Sequence, residues 1–136
     1  MSGMEFLSLR RDAARSRRSS DIVRVGGWAF ISGQVPIDLN DDRVALPEMV
    51  EAQALKILDN AEVLLKSIGM TRDDIASVRI YIVQFPKFHE RVNEAYVSFF
   101  KADRLPSRTC VGVTHLTRGA LVEMEFVAYR ATGGPA

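Results

Sequence analysis

The chain predicts an α+β fold: one sheet with two helices packed on one of its faces, in the order β-β-α-β-α-β-β. Three observations predict it. Short segments with apolar residues at every second position occur near both ends and once in the middle. A glycine pair separates the first two of them. Two longer stretches instead carry apolar residues at three- and four-residue steps, the spacing of an amphipathic helix.

Asp21 to Arg24 and Trp28 to Ser32 flank Gly26-Gly27, where glycine supplies the positive backbone angles of a tight hairpin turn. Pro47 suits the first turn of a helix. Val50, Ala54, Leu58, Ala61, Leu65 and Ile68 then form an apolar stripe until Gly69 offers a C-terminal cap. Thr71 and Asp74 have the spacing of a capping box. After them Val78, Ile80 and Ile82 alternate with Arg79 and Tyr81 as a strand. A second helix is expected from about Lys87 to Lys101, with the stripe Phe88, Val92, Ala95, Tyr96 and Phe99. Pro106 returns the chain to extended structure. The last two strands are Pro106 to Val113 and Val122 to Ala128, expected to pair as a hairpin through Thr117 to Gly119. Helices on one face leave the other needing cover, and strands apolar on both faces point to another subunit as that cover.

At 136 residues, 47% hydrophobic and 26% charged, the chain is expected to form one domain over residues 1–136, burying roughly two-thirds of its unfolded surface. Residues 1–20 read as a divergent arginine- and serine-rich arm, and residues 131–136 as a polar tail. A single cysteine precludes an intrachain disulfide. With no leader-like segment or long apolar run, a cytoplasmic setting is expected and no membrane partner. The net charge of +1 exerts no overall pull on nucleic acid. The cluster Arg10, Arg11, Arg15, Arg17 and Arg18 reads as a solvated arm, with anion binding the alternative.

Chemistry concentrates in the last third. Arg108 and Cys110 share one strand face, while Thr109, Val111 and Val113 share the other. Glu123 and Glu125 lie opposite Val122, Met124, Phe126 and Ala128. A guanidinium and a carboxylate on rigid strands can grip one small carboxylated molecule and move protons on it.

Four motifs in order carry a resemblance that covers nearly all of residues 20–130: Ile31-Ser32-Gly33-Gln34-Val35-Pro36; Asn93-Glu94-Ala95-Tyr96 with Phe99-Phe100; Pro106-Ser107-Arg108-Thr109-Cys110; and Gly119-Ala120-Leu121-Val122-Glu123-Met124-Glu125. With them the chain resembles the Rid (YjgF/L-PSP) family. The resemblance implies a chorismate mutase-like fold and a homotrimer with a ligand site between neighbouring subunits. It also implies hydrolysis of reactive enamines and imines such as 2-aminoacrylate to a 2-keto acid and ammonia, with no metal and no organic cofactor.

Carried over by position, the resemblance makes Arg108 the anchor of the substrate carboxylate and Glu123 the group that orients or activates water. It makes Ser32, Gly33, Asn93 and Cys110 substrate-binding residues. Each has a plainer alternative: an internal ion pair for Arg108 or Glu123, a small hydrophobe for Cys110, local backbone bonding for Ser32, and a solvated helix face for Asn93.

The chain departs from the family pattern thirteen residues before Ser32, where many members carry Tyr-Ser and this chain has Ser19-Ser20. An arginine or Trp28 closing the site instead would suit a larger or more acidic substrate. His115 is unmatched and reads as a surface turn residue. In the expected hairpin Arg108 lies five ladder positions from Glu123, about 16 Å, so one chain could hardly bring both to one small imine. Two neighbouring protomers could.

The expected function is therefore a trimeric deaminase acting on a small carboxylated imine. The alternative is a regulatory trimer that binds a 2-keto acid through Arg108 without turnover. A weaker third reading is an RNA-directed endoribonuclease or translation inhibitor, suggested by the arginine-rich arm, but no histidine pair is positioned for acid-base cleavage and no basic-aromatic platform is visible.

Overall fold

The computed structural model describes residues 3–9 and 18–131. Of the arginine cluster only Arg18 falls within them, and it is exposed; Arg10 to Arg17 and the tail from Thr132 lie outside the described residues.

Among the described residues, six strands form one sheet: β1 (Met4–Leu7), β2 (Ile22–Val25), β3 (Trp28–Gln34), β4 (Ile75–Val83), β5 (Ser107–Val113) and β6 (Val122–Tyr129). Their spatial order is β1-β2-β3-β6-β4-β5. Helices α1 (Val50–Lys66) and α2 (Phe85–Phe99) cover one face. This is the two-helix α+β architecture that the patterning predicts, with one strand more.

The extra strand is β1, inside the segment read as an arm. It is short and three of its four residues are exposed, so it carries little periodic signal. It forms because β2 offers an open edge, to which it pairs antiparallel from Met4↔Val25 to Leu7↔Ile22. The Leu9 amide donates to the Asp21 carboxylate at 2.8 Å beyond the ladder's end.

The elements otherwise start and stop for local reasons. Gly26, at φ 56°, turns the β2–β3 hairpin. Helix α1 begins at Val50 rather than at Pro47, because Met49 is still extended; the Gln53 side chain donates to the Pro47 carbonyl and closes the entry. Thr71 and Asp74 do form a capping box, around a short 3₁₀ turn. Helix α2 starts two residues before the expected Lys87, since Gln84 in a left-handed conformation reverses the chain and Pro86 fits the first turn. All five residues of its expected stripe are buried.

The pairing of β5 departs from expectation. It does not form a hairpin with β6. It runs parallel to β4, from Ser77↔Ser107 to Val83↔Val113, while β6 pairs antiparallel with both β4 and β3. Burial gives the reason. Val122, Met124, Phe126 and Ala128 of β6 are at most 1% exposed and require a neighbour on each side. Strand β5 is mostly exposed and suits the edge. A helix between β4 and β5 also supplies the crossover that parallel pairing requires.

The core lies between the helices and the sheet, with Ile57, Leu58 and Leu65 against Ile80, Met124 and Phe126. Buried polar side chains fasten loops to it: Asn60 donates to the Ile37 carbonyl at 2.8 Å, and the Gln53 oxygen accepts from the Leu121 amide at 2.8 Å, one residue before β6.

Arg72 ties α1 to the end of α2. It forks onto Glu62 at 2.7 and 2.7 Å, donates to the Phe99 carbonyl at 2.8 Å and lies over the Phe99 ring. Arg72→Ala should cost about 1–2 kcal/mol, less than a fully buried pair because Arg72 is partly exposed. The check is a lower denaturant midpoint at unchanged slope. Arg72 holds the Glu62 carboxyl below its ordinary value, so this stabilisation is present at neutral pH and is lost as acid protonates Glu62.

Candidate active site

The predicted site residues fall into two groups on opposite faces of the sheet. On the helix-covered face, at the edge, Arg108 is level with Val78 of β4 and turns towards α2. Its guanidinium donates to the Asn93 amide oxygen and lies over the Tyr96 ring, 4.8 Å from the centroid. Cys110 follows on the same face, level with Ile80 and half-buried. Burial pushes its thiol up, against a smaller opposing pull from Arg108. A thiol held neutral lines a pocket and is a poor nucleophile. No carboxylate among the described residues pairs with Arg108, so its fork is open to a ligand anion.

The second group sits on the open face. Ser32 and Gly33 occupy a bulge in β3: Ile31 pairs with Phe126 and Gln34 with Met124, so two residues of β3 face one of β6. The bulge brings Gly33 against Glu123, where a Cβ on Gly33 would stand 2.3 Å from the Glu123 carboxylate oxygen. Only glycine leaves that carboxylate room. The Ser32 hydroxyl donates to the Ser20 carbonyl at 2.5 Å, so its proton serves the backbone and only its lone pairs remain for a ligand.

Glu123 is half-buried, and its carboxyl is pushed up, first by desolvation and then by the charge of Glu125. A carboxylate raised towards neutrality is the better proton acceptor for a water molecule. Glu125 accepts from the Tyr81 hydroxyl, which raises the tyrosine, and lies 4.0 Å from Arg79. Arg79 and Glu125 line a depression of about 220 Å³ with Phe30, Ser77 and Val127.

Arg108 and Glu123 cannot meet within one chain. The β5–β6 hairpin that would hold them five ladder positions apart does not form. The actual reason is that β4 lies between them and their side chains leave opposite faces of the sheet. Trp28 does not replace the missing tyrosine within the chain either: it sits at the opposite end of β3 from Gly33 and packs on Tyr129. His115 is exposed in the loop after β5, as expected of a surface turn residue.

Sequence reasoning missed Tyr96, Tyr81 and Arg79 as neighbours of the site. Tyr96 was assigned to the core stripe, and it is 2% exposed, yet its ring supports Arg108. Its place one turn after Asn93 was the available signal. Among the described residues no group of three or more His, Cys, Asp or Glu could hold a metal ion, and no helix is long and apolar enough to cross a membrane.

Comparison with known proteins decides the family. The sequence model of endoribonuclease L-PSP matches residues 11–130. The chain belongs to the L-PSP family. This is the Rid family that the four motifs resemble. An L-PSP relative, a RutC family protein of Aquifex aeolicus, is 39% identical over 112 residues, covering 82% of this chain and 87% of its own length. The 2-iminobutanoate/2-iminopropanoate deaminase of Salmonella typhimurium is 32% identical over 110 residues, covering 79% and 84%. Among solved L-PSP folds, a Rid family protein of unknown function from Yersinia pestis superposes with a TM-score of 0.82 at 30% identity over 93% of this chain and 99% of that one. The TdcF protein of E. coli with bound serine gives 0.81 at 25% identity over the same shares.

Proposed function

We propose that the protein is a homotrimeric deaminase that hydrolyses small carboxylated enamines and imines, of the 2-aminoacrylate kind, to 2-keto acids and ammonia. The observation that carries the reading is the split site: an open guanidinium fork at the sheet edge and a carboxylate of raised basicity on the other face. Two relatives named 2-iminobutanoate/2-iminopropanoate deaminase support the chemistry, and a relative crystallised with serine supports a ligand of that size.

In this reading Arg108 of one protomer holds the carboxylate, and Glu123 of a neighbour faces the imine carbon. Glu123 takes a proton from water as the water oxygen bonds to that carbon, giving a carbinolamine. That proton passes to nitrogen as the carbon–oxygen bond forms, and the hydroxyl proton then follows it through the same carboxylate, so that the carbon–nitrogen bond breaks and ammonia leaves as the carbonyl forms. The sum is imino acid plus water to 2-keto acid plus ammonia. Asn93, Cys110, Ser32 and Gly33 shape the cleft, and no cofactor takes part.

The open sheet face supports the assembly. Phe6, Val23, Phe30 and Val127 form a continuous apolar row across four strands, with Phe6 62% and Phe30 45% exposed. Trp28 and Tyr129 extend it. An apolar face of this extent is covered in solution. Light scattering should give about 46 kDa from three 15.2 kDa chains, and a stable monomer at micromolar concentration would remove the shared site.

A turnover assay on 2-aminoacrylate and related imino acids tests the chemistry. Gly33→Ala should separate the two half-sites. The added methyl displaces the end of a flexible side chain, so stability changes little. Turnover should fall by about 10²-fold, the scale of a 1 Å misplacement, while 2-keto acid binding at Arg108 persists. Loss of binding along with turnover would place Glu123 in ligand binding instead.

A further inference from the structure

We infer that His89 is a positioning residue: it holds the Asn93 amide so that its oxygen, not its nitrogen, meets Arg108. The inference rests on the reading of Arg108 as the carboxylate anchor. His89 lies on α2, outside the four motifs that carry the family resemblance.

A guanidinium only donates hydrogen bonds, so the Asn93 atom facing Arg108 must be the amide oxygen. The NH₂ end then points the other way, where it meets Nε2 of His89 at 3.2 Å. That NH₂ also only donates. Nε2 must therefore present its lone pair, and the neutral ring carries its proton on Nδ1. Nδ1 in turn stands 3.3 Å from the Glu90 carboxylate. The chain Glu90–His89–Asn93–Arg108 thus has one sense throughout, set by its donor-only end.

The ring is held to perform this. His89 lies one helical turn before Asn93 and stacks on Phe85 a turn earlier, with centroids 4.4 Å apart and planes 22° apart. Phe85 rests on Gly112, where an added Cβ would come 3.0 Å from its own Cβ. Gly112 belongs to β5, the strand that carries Arg108, so strand, ring and amide form one closed set of contacts. Tyr96 supports the face of the guanidinium, but a ring face does not fix rotation within that plane. The Asn93 oxygen fixes it. Without an acceptor at position 89, a flipped amide would aim two N–H groups at the guanidinium and turn the fork away from its ligand.

The test pairs His89→Phe, which keeps an aromatic ring on Phe85 but removes the acceptor, with His89→Gln, whose amide oxygen can accept from Asn93. The side chain is about a third exposed, and helical circular dichroism checks that both variants fold. On 2-aminoacrylate, His89→Phe should raise KM about fivefold with kcat within twofold, and His89→Gln should restore most of the difference. ¹⁵N spectra of histidine-labelled wild type should place the His89 proton on Nδ1, and Asn93→Ala should abolish that preference. An unchanged KM in His89→Phe, or a proton on Nε2, overturns the inference. If the wild type hydrolyses no imino acid, the deaminase reading fails, and pyruvate affinity in the same variants together with the ¹⁵N spectra still decides the role of His89.

Discussion

Arg108→Ala is expected to abolish imine hydrolysis while leaving the chain folded. Arg108 stands exposed on an edge strand, so truncating it opens no cavity in the core and stability should hold within about 0.5 kcal/mol. What disappears is the fork. A hydrogen bond to a charged group contributes roughly 1.5–3 kcal/mol, and two parallel ones also fix where the imine carbon sits relative to the water. Loss of affinity and loss of placement act together, so kcat/KM should fall by more than either alone. Arg108→Lys should restore little, because an ammonium on a flexible stem supplies charge without the planar geometry that Asn93 and Tyr96 hold in place. Steady-state kinetics on 2-aminoacrylate, with circular dichroism and scattering on the same samples, provide the check. An alanine variant that keeps most of its activity would mean the anchor lies elsewhere. A wild type without turnover that binds 2-keto acids through Arg108 would establish the regulatory alternative.

Glu123→Gln should retain ligand binding and slow turnover by roughly 10²-fold or more, the usual scale of general acid-base assistance. The pH dependence gives the sharper signature. The active form is the carboxylate, so wild-type turnover should rise with pH through the Glu123 pKa, which desolvation and Glu125 place above the ordinary carboxylate value of 4.5. That limb should vanish in the glutamine variant. Stability runs the other way. A folded-state pKa above the unfolded one means that folding favours the neutral acid, so this contribution is present at low pH and is lost as pH rises through the folded value. At neutral pH the wild type carries a poorly solvated charge beside Glu125. Glu123→Gln should therefore raise Tm slightly while lowering kcat, the trade expected of a group placed for chemistry rather than stability. A glutamine variant that keeps full turnover, or keeps the low-pH limb, would remove Glu123 from the reaction.

Much of this was legible in the residues. Local signals sufficed where one physical cause dominates: Gly26 for the hairpin, the Thr71–Asp74 capping box, and the stripe from Phe88 to Phe99, all three found as expected. Side-chain alternation also placed Arg108 with Cys110 and Glu123 with Glu125. It could not say which strand lies beside which. β5 and β6 are adjacent in sequence and separated by a turn, so a hairpin was the economical expectation. The sheet instead inserts β4 between them, because Val122, Met124, Phe126 and Ala128 need neighbours on both sides. β1 carries no signal of its own, because its four mostly exposed residues gain their order from the edge they join rather than from their own pattern.

The sequence by itself determined the type of every element except β1, the two helical faces, the family and the candidate site residues, because these follow from nearest-neighbour sterics, from the period of burial and from side-chain identity. Only the tertiary structure decided that Arg108 and Glu123 leave opposite faces of the sheet, that the Ser32-Gly33 bulge brings backbone against the Glu123 carboxylate, and that His89, Asn93 and Tyr96 converge on Arg108. Those facts depend on strand order and on contacts between elements far apart in the chain, whose free energy comes from joint burial and is therefore written in no single segment.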